Sequence, residues 1–219
     1  MQRVAIILFG GEKGGTGKTT LAVNIAAMLA VEGRRVVLLD TDRQGSAYYW
    51  GRIRAEEGRV PEVPCPRHHG KTLPAEIEKL SADYQDLIID AGGRDSVELR
   101  YALGMADRVY LPIQPFQFDI WTLQQMENLL AMAGKVNNRL AGYLVLNRVS
   151  PHPLVAEYRE AREFVTAQCF AHLHLLTAQL HDRIAYRKAA RSGLSVVEDD
   201  RDTKAVAEIK RLYEEIHGA

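Results

Sequence analysis

Ten residues near the start of the chain have the types and spacing of a phosphate-binding loop. Residues 11–20 read GEKGGTGKTT and fit the Walker A pattern, in which a lysine and a hydroxyl residue follow a glycine-rich turn. The glycines allow backbone N–H groups to converge on a phosphate, the lysine neutralises phosphate charge, and the hydroxyl can ligate Mg²⁺. We therefore expect Mg-ATP to bind here. The expected nucleotide contacts are Gly11, Glu12, Lys13, Gly14, Gly15, Thr16, Gly17, Lys18, Thr19 and Thr20, with Thr19 as a metal ligand.

Carboxylates follow two apolar runs further along the chain. Asp40 and Asp42 come at the end of VVLLDTD, and Asp90 ends LIID, which is a Walker B pattern. A carboxylate near Mg²⁺ and a γ-phosphate can hold a metal-bound water or orient the attacking water. We expect Asp90 to contact Mg²⁺ through water. An aspartate at a strand end can instead cap the following helix, which accounts for one such residue better than for the pair Asp40 and Asp42.

The composition is that of an ordinary globular protein without an overall charge. The chain has 219 residues, 28 Lys+Arg against 28 Asp+Glu, and 47% hydrophobic residues, so a surface for nucleic acid or membrane must be a local patch. The two cysteines, Cys65 and Cys169, have no metal or disulfide spacing. The first apolar run, residues 4–9, is too short for a signal or a membrane span. A cytoplasmic protein is expected.

Short apolar runs alternate with longer amphipathic stretches. Runs such as VAIILF and YLVLN are apolar almost throughout, which is typical of strands buried on both faces. The predicted strands are residues 4–9, 35–40, 86–90, 108–112, 142–147 and 172–177. The predicted helices are residues 18–32, 44–57, 96–105, 118–133, 154–168, 182–191 and 203–216. Residues 58–70 hold three prolines and are expected to form an irregular loop.

This alternation predicts an α/β fold with one doubly wound, mostly parallel sheet and helices on both of its faces. Residues 1–219 are expected to form a single P-loop ATPase domain. Ligands of such sheets bind beyond the carboxyl ends of the strands, and the glycine-rich loop and the aspartates all follow predicted strands.

The form KGGTGKTT resembles the deviant Walker A motif of the ParA/MinD family, and the resemblance runs over essentially the whole chain. The layout is similar to that of the short ParA-type plasmid-partition ATPases. The resemblance implies a dimer that forms face to face over ATP, in which Lys13 reaches the partner's phosphates as a catalytic residue beside Lys18. It also implies that Asp40 holds a Mg²⁺-bound water and that Asp42 orients the hydrolytic water, although Arg43 stands where the family usually has proline.

Two later segments also resemble the family. The motif LNR, with Asn147 and Arg148, is similar to the family motif whose asparagine recognises adenine; the alternative is that Asn147 is a turn residue at a strand end. In the late segment, Arg183, Arg187 and Arg191 recur every fourth residue and Lys188 widens the stripe. Such a stripe can bind DNA phosphates without reading sequence. It could also be a solvated helix face.

The resemblance implies an ATPase that dimerises on ATP, binds nonspecific DNA, associates with the nucleoid and segregates plasmid or chromosome DNA. A ParB-like or other adaptor protein would stimulate hydrolysis. Positioning of a protein cargo, such as a carboxysome or a chemotaxis cluster, is the alternative. A MinD-like regulator that cycles on membranes would need a basic amphipathic C-terminal helix, whereas KAVAEIKRLYEEIHGA predicts a packed helix. An electron-transfer or metallocluster role, like that of the nitrogenase iron protein, would need cysteines placed to bridge a dimer. Cys65 and Cys169 have no such paired spacing, so this alternative ranks last.

Overall fold

A computed structural model describes residues 4–93, 95–115, 120–152 and 157–217. Strands and helices alternate along the chain, as the apolar runs predict. The strands are β1 (Ala5–Phe9), β2 (Val36–Asp40), β3 (Asp86–Asp90), β4 (Arg108–Ile113), β5 (Ala141–Val149) and β6 (Leu173–His181). The helices are α1 (Lys18–Val31), α2 (Ser46–Glu56), α3 (Leu73–Asp83), α4 (Val97–Met105), α5 (Ile120–Gly134), α6 (Glu157–Ala167), α7 (Ile184–Arg191), α8 (Val196–Asp199) and α9 (Thr203–His217).

The six strands form one sheet in the order β2-β3-β1-β4-β5-β6, and every strand pair in it is parallel. The register aligns the carboxyl ends of the central strands, because Phe9 and Asp40 both lie opposite Asp90. The segments that follow β1, β2 and β3 therefore leave the sheet at the same edge. This arrangement brings the glycine-rich loop and the aspartates together.

Successive residues of a strand pack against opposite layers of helices. Ile7 and Phe9 of β1 lie in a core cluster with residues of α1 and α9, whereas Ile6 and Leu8 lie in a second cluster with residues of α3, α4 and α5. Because side chains of a strand alternate between its faces, a strand buried on both faces must be apolar throughout. The predicted doubly wound sheet with helices on both faces is confirmed.

The proline-rich residues 58–70 form no helix, and part of this segment covers the outer edge of β2. The N–H of Leu38 donates to the carbonyl of Pro64 (3.0 Å), the N–H of Asp40 donates to Pro66 (2.9 Å), and the N–H of His68 donates to Asp40 (3.0 Å). Proline has no N–H to donate, but its carbonyl can accept a hydrogen bond. The segment therefore provides acceptors for the N–H groups of the edge strand β2 without forming a strand itself.

Helices α3 and α8 do not appear among the sequence-based expectations. Helix α3 follows directly on the irregular segment, with a proline in its first turn, and it buries Leu73, Ile77 and Leu80. Helix α8 is a single turn that begins with a capping box between Ser195 and Glu198. Two predicted helices were expected to start at residues 118 and 154, and both of these positions lie outside the described residues.

The C-terminal helix α9 is packed, as its sequence predicts. Its apolar side chains Ile209, Leu212 and Ile216 are fully buried in the core cluster on one face of the sheet. None of the helices in the described parts of the chain has the length and hydropathy that a bilayer-spanning segment needs.

Candidate functional site

The segments after β1, β2 and β3 are tied to neighbouring strands as soon as they leave the sheet. The N–H of Gly10 donates to the carbonyl of Tyr110 (3.1 Å), and the N–H of Ala91 donates to Phe9 (2.9 Å). The N–H of Thr41 donates to the carbonyl of Asp90 (2.9 Å). The start of each loop is thus fixed by the rigid sheet.

The glycine-rich loop adopts backbone conformations that require glycine. Gly15 has φ 75°, and Gly17 has φ 101° at the start of α1. A Cβ atom at Gly15 would meet nothing within 4 Å, whereas one at Gly17 would lie 2.2 Å from Nδ2 of Asn147. Gly17 precedes α1 without a side-chain cap, so its first N–H groups are available to an anion.

Lys18 lies beneath the loop and closes it. Its Nζ donates to the carbonyl of Lys13 at 2.8 Å, and the side chain is largely buried. Burial lowers the pKa of Lys18, while the nearby charges of Asp90 and Asp42 oppose this shift. A charge interacts more strongly in a buried site than in water. The Lys18 ammonium is therefore suited to donate hydrogen bonds to phosphate oxygens.

Asp90 and Thr19 form a short hydrogen bond at the base of α1. The Thr19 hydroxyl donates to Oδ2 of Asp90 at 2.6 Å. Asp90 is fully buried, and its Oδ1 atom has no hydrogen-bond partner within the part of the chain that the structure describes. Burial raises the pKa of Asp90 to about 8, although the Thr19 hydrogen bond acts in the opposite direction. An unsatisfied carboxylate oxygen beside a hydroxyl is a donor set that suits Mg²⁺ and its water ligands.

Asp40 is held by the backbone of the segment that follows it. Its Oδ1 accepts the N–H of Asp42 (2.9 Å), and its Oδ2 accepts the N–H of Tyr48 (2.8 Å). The side chain is fully buried, and burial raises the pKa of Asp40 against the effect of these two bonds. Asp40 therefore shapes the following turn and helix start, and each of its oxygens still has a second lone pair for a metal-bound water.

Asp42 lies in a turn at the mouth of the site. Its Oδ1 accepts the N–H of Gln44 at 3.0 Å, and a Cβ atom at Gly92 would lie 3.4 Å from its carboxyl carbon. A Cβ atom at Gly93 would lie 2.7 Å from the backbone nitrogen of Gly14. The loops after β2 and β3 thus contact each other and the phosphate-binding loop. The structure brings the predicted residues of three separate motifs into one site.

Two buried amides support the phosphate-binding loop from the side. Nδ2 of Asn147 donates to the carbonyl of Thr16 at 2.6 Å, and Nε2 of Gln114 donates to the carbonyl of Gly15 at 2.9 Å. Asn147 lies where the β5–β6 register shifts, and the next residue, Arg148, has φ 55°. Such an irregularity re-aims a side chain. The role of Asn147 toward adenine stays a prediction, as does that of Arg148.

Gln114 is not among the site residues that the sequence predicts. It directly follows β4, at the same sheet edge as the phosphate-binding loop, and it is 5% exposed. Its position after a predicted strand, within the segment LPIQP, is a signal in the sequence that points to this sheet edge.

The predicted basic stripe divides into two parts. Arg183 precedes α7 and forms an ion pair with Glu208 at 2.6 Å, with 16% of its side chain exposed. The other three cations, Arg187, Lys188 and Arg191, lie on α7 itself and are exposed. Nη1 of Arg187 is 4.0 Å from Oδ1 of Asp182. The three exposed cations remain available for phosphates, while Arg183 has a structural partner.

The turn that follows α7 is anchored by α2, the helix that follows the Asp42 turn. Trp50 Nε1 donates to the carbonyl of Leu194 (3.2 Å), and Nη1 of Arg54 donates to the carbonyl of Gly193 (2.8 Å). Arg54 is 1% exposed and also pairs with Glu198 at 2.6 Å. The sequence alone gives no sign that this arginine is buried.

Known proteins are similar to this chain in sequence and in fold. A family model described as the CobQ/CobB/MinD/ParA nucleotide binding domain matches residues 7–196. "Maintenance of carboxysome distribution protein A" of Gloeobacter kilaueensis is 31% identical over 219 residues, covering 98% of this chain and 94% of the relative. "Chromosome-partitioning ATPase Soj" of Thermus thermophilus is 50% identical over 175 residues, covering 65% and 69%. The solved septum site-determining protein MinD with Mg-ADP, from Pyrococcus horikoshii, aligns with a TM-score of 0.71 and 20% identity, covering 98% of this chain and 96% of that one.

Proposed function

Because the chain belongs to the CobQ/CobB/MinD/ParA family of nucleotide-binding domains, we propose that it is an ATPase that dimerises on Mg-ATP and positions a cargo. The observation that carries this proposal is the convergence of the phosphate-binding loop, the Thr19–Asp90 pair and the Asp42 turn at one sheet edge. These are the parts that phosphoryl transfer to water requires.

Each residue of the site has a proposed task. The N–H groups of the loop and the Lys18 ammonium would bind the β- and γ-phosphates, and Asn147 and Arg148 would contact the adenine. Thr19 would ligate Mg²⁺ directly, and Asp40 and Asp90 would hold it through water. When bound, Mg²⁺ would supply neutralisation of the phosphate charge. Asp42, which lies at the mouth of the site, would orient the attacking water.

Lys13 would act on the nucleotide of the partner subunit. Its carbonyl accepts the hydrogen bond from the Lys18 ammonium, and the residue is half-buried. A lysine brought in by a second subunit stabilises the charge of the transition state as an arginine finger does. Hydrolysis would then depend on dimerisation, so that nucleotide state and assembly state would be coupled.

The exposed cations of α7 are the proposed surface for nonspecific DNA. One short helix carries three solvent-exposed cations, Arg187, Lys188 and Arg191. Binding of such cations to DNA phosphates does not depend on the base sequence. DNA-bound dimers would concentrate on the nucleoid. The apolar face of α9 is buried in the core, which disfavours the MinD-like membrane-cycling alternative for this helix.

For the cargo, two candidates have support in the comparisons. Plasmid or chromosome DNA, brought by a ParB-like adaptor, is supported by the similarity to the Thermus chromosome-partitioning ATPase. A protein cargo is supported by the similarity to the Gloeobacter carboxysome distribution protein, which extends over 94% of that protein. Because this second match is nearly full-length, we treat a protein cargo bound through its own adaptor as the second candidate function.

The test is binding to nonspecific duplex DNA with ATP, with ADP and without nucleotide, at two salt concentrations. ATP-dependent binding is expected, and the double variant Arg187→Ala, Arg191→Ala should lower the salt slope by about 0.9 for each DNA phosphate that the protein no longer neutralises. The matched control is Lys71→Ala, Lys79→Ala, which removes two exposed cations at α3, on the other side of the sheet. Equal effects of both double variants, or the absence of DNA binding in every nucleotide state, would refute the DNA surface.

A further inference from the structure

The segment that covers the edge of β2 carries an arginine to the outside of the Asp42 turn. Residue 67 forms a parallel bridge with Asp40, and the flanking hydrogen bonds to Pro66 and His68 fix this position. The backbone of Arg67 is therefore fixed to the carboxyl end of β2, from which the Asp42 turn also begins. Its side chain reaches the turn from the solvent side.

The turn itself fixes the direction of the Asp42 carboxylate. The N–H of Gly45 donates to the carbonyl of Asp42 at 3.0 Å, and the N–H of Gln44 donates to Oδ1 of Asp42 at 3.0 Å. The N–H of Asp42 in turn donates to Oδ1 of Asp40. The carboxylate is thus held through backbone groups of residues 42–45, and opening of this turn would release it.

Arg67 contacts three residues of this segment. Its Nη2 donates to the carbonyl of Arg43 at 2.9 Å, and its guanidinium carbon lies 5.4 Å from the ring centre of Tyr48. The guanidinium also packs against Gly45, where a Cβ atom would lie 2.9 Å from its central carbon. Gly45 has φ 70°, so two features of this position require glycine: the left-handed backbone and the close approach of Arg67.

We infer that Arg67 is a positioning residue that holds the turn of residues 42–45 closed and thereby orients the Asp42 carboxylate. A planar guanidinium suits this task, because it can donate to the carbonyl, cover the glycine and stack on the tyrosine at the same time. The inference rests on the proposed function for the role of Asp42 in hydrolysis. The closure of the turn by Arg67 does not depend on that role.

The turn offers an independent way to replace this restraint. Asp42 is its first residue and Gly45 its fourth, which is typical of a type I turn, and such turns favour proline at the second position, here Arg43. Proline would fix one backbone angle and reduce the freedom of the open turn. Arg43→Pro should therefore compensate for the loss of Arg67, whereas Arg43→Ala, which removes the same side chain without fixing the backbone, should not.

The first experiment measures amide hydrogen exchange at Gln44 and Gly45 in the nucleotide-free protein. Arg67→Ala should speed this exchange about tenfold, because a hydrogen bond from a charged group is removed. Arg67→Lys should recover only part of the protection. The control Arg159→Ala, an exposed arginine of α6, should leave the exchange at both amides unchanged. Adding Arg43→Pro to Arg67→Ala should restore protection.

The second experiment measures single-turnover hydrolysis of Mg-ATP with protein in excess, together with the Kd of a fluorescent ATP analogue. We expect Arg67→Ala to lower the hydrolysis rate about tenfold while the nucleotide Kd changes less than about threefold, since the phosphate-binding loop is untouched. Arg43→Pro should recover the rate of Arg67→Ala, and Arg43→Ala should not.

The two experiments separate the inference from the proposed function. Unchanged exchange at Gln44 and Gly45 in Arg67→Ala would overturn the inference, whatever the hydrolysis rate. Faster exchange with an unchanged hydrolysis rate would overturn the positioning role. If the wild-type protein does not hydrolyse ATP, the proposed function fails, and the exchange measurement alone then supports or overturns the closure of the turn by Arg67.

Discussion

Replacement of Asp90 by asparagine should remove a pH dependence from the stability of the nucleotide-free protein and at the same time weaken its binding of Mg-ATP. The carboxylate is fully buried, one of its oxygens accepts the Thr19 hydroxyl, and burial raises its pKa to about 8. The folded protein therefore keeps a proton at Asp90 over a pH range in which the unfolded chain has lost it. In that range the folded state becomes less stable as the pH rises.

The size of the effect follows from this pKa difference. An aspartate in an unfolded chain titrates near pH 4, so between pH 5 and pH 7 the unfolded chain is ionised at this position while the folded protein, with a pKa of about 8, is not. Each pH unit then lowers the free energy of unfolding by about 1.4 kcal/mol, so the loss over the interval is on the order of 3 kcal/mol. The effect levels off above pH 8, because both states are then ionised.

The assay is urea denaturation of the wild-type protein and Asp90→Asn at pH 5, 6, 7 and 8.5, without nucleotide. Asparagine can still accept the Thr19 hydroxyl, but its amide group can be left unsatisfied, so the absolute difference in stability at one pH is a poor criterion. The change of this difference with pH is the diagnostic quantity. The control Asp83→Asn removes an exposed aspartate at the end of α3 and should follow the wild type.

Mg-ATP should stabilise the wild-type protein more than Asp90→Asn. A bound cation stabilises the ionised Asp90, so saturating Mg-ATP should raise the unfolding free energy of the wild type more than that of the variant. A wild-type-to-variant difference that stays constant between pH 5 and pH 7 would refute the reasoning on burial. Equal stabilisation of both proteins by Mg-ATP would refute the assignment of Asp90 to the metal.

Three other substitutions test separate parts of the molecule. Arg54→Met should lower the free energy of unfolding by about 3–5 kcal/mol, because it leaves Glu198 without its buried partner. Arg52→Ala, in the solvent-exposed pair with Glu56, should have a far smaller effect, and equal losses in urea denaturation would contradict this. Lys13→Ala should abolish partner-stimulated hydrolysis while the ATP Kd changes little, and unchanged turnover would exclude a role in trans. Asp42→Ala should accumulate an ATP-bound dimer in light scattering, and a variant that stays monomeric with ATP would count against its role with water.

The sequence by itself determined the parts of this protein that depend on neighbouring residues. The run VAIILF predicts a strand buried on both faces, and GEKGGTGKTT predicts a phosphate-binding loop between a strand and a helix. Both features are local, because a strand's side chains alternate with period 2 and the loop binds phosphate through consecutive backbone groups. The convergence of Asp40, Asp42 and Asp90 was also predictable, since the carboxyl ends of parallel strands lie at one sheet edge.

Only the tertiary structure decided which distant groups meet. Arg54 and Glu198 are 144 residues apart, and nothing in either local sequence marks a buried pair. By its spacing Arg183 belongs to the basic stripe. In the structure α7 begins one residue later, and the Arg183 guanidinium forms an ion pair with Glu208 of α9. Gln114 contacts the phosphate-binding loop because β4 lies next to β1 in the sheet. Arg67 contacts the Asp42 turn because an irregular segment runs along β2. Such partners depend on how elements pack, and packing is set by the whole buried surface and not by any one segment.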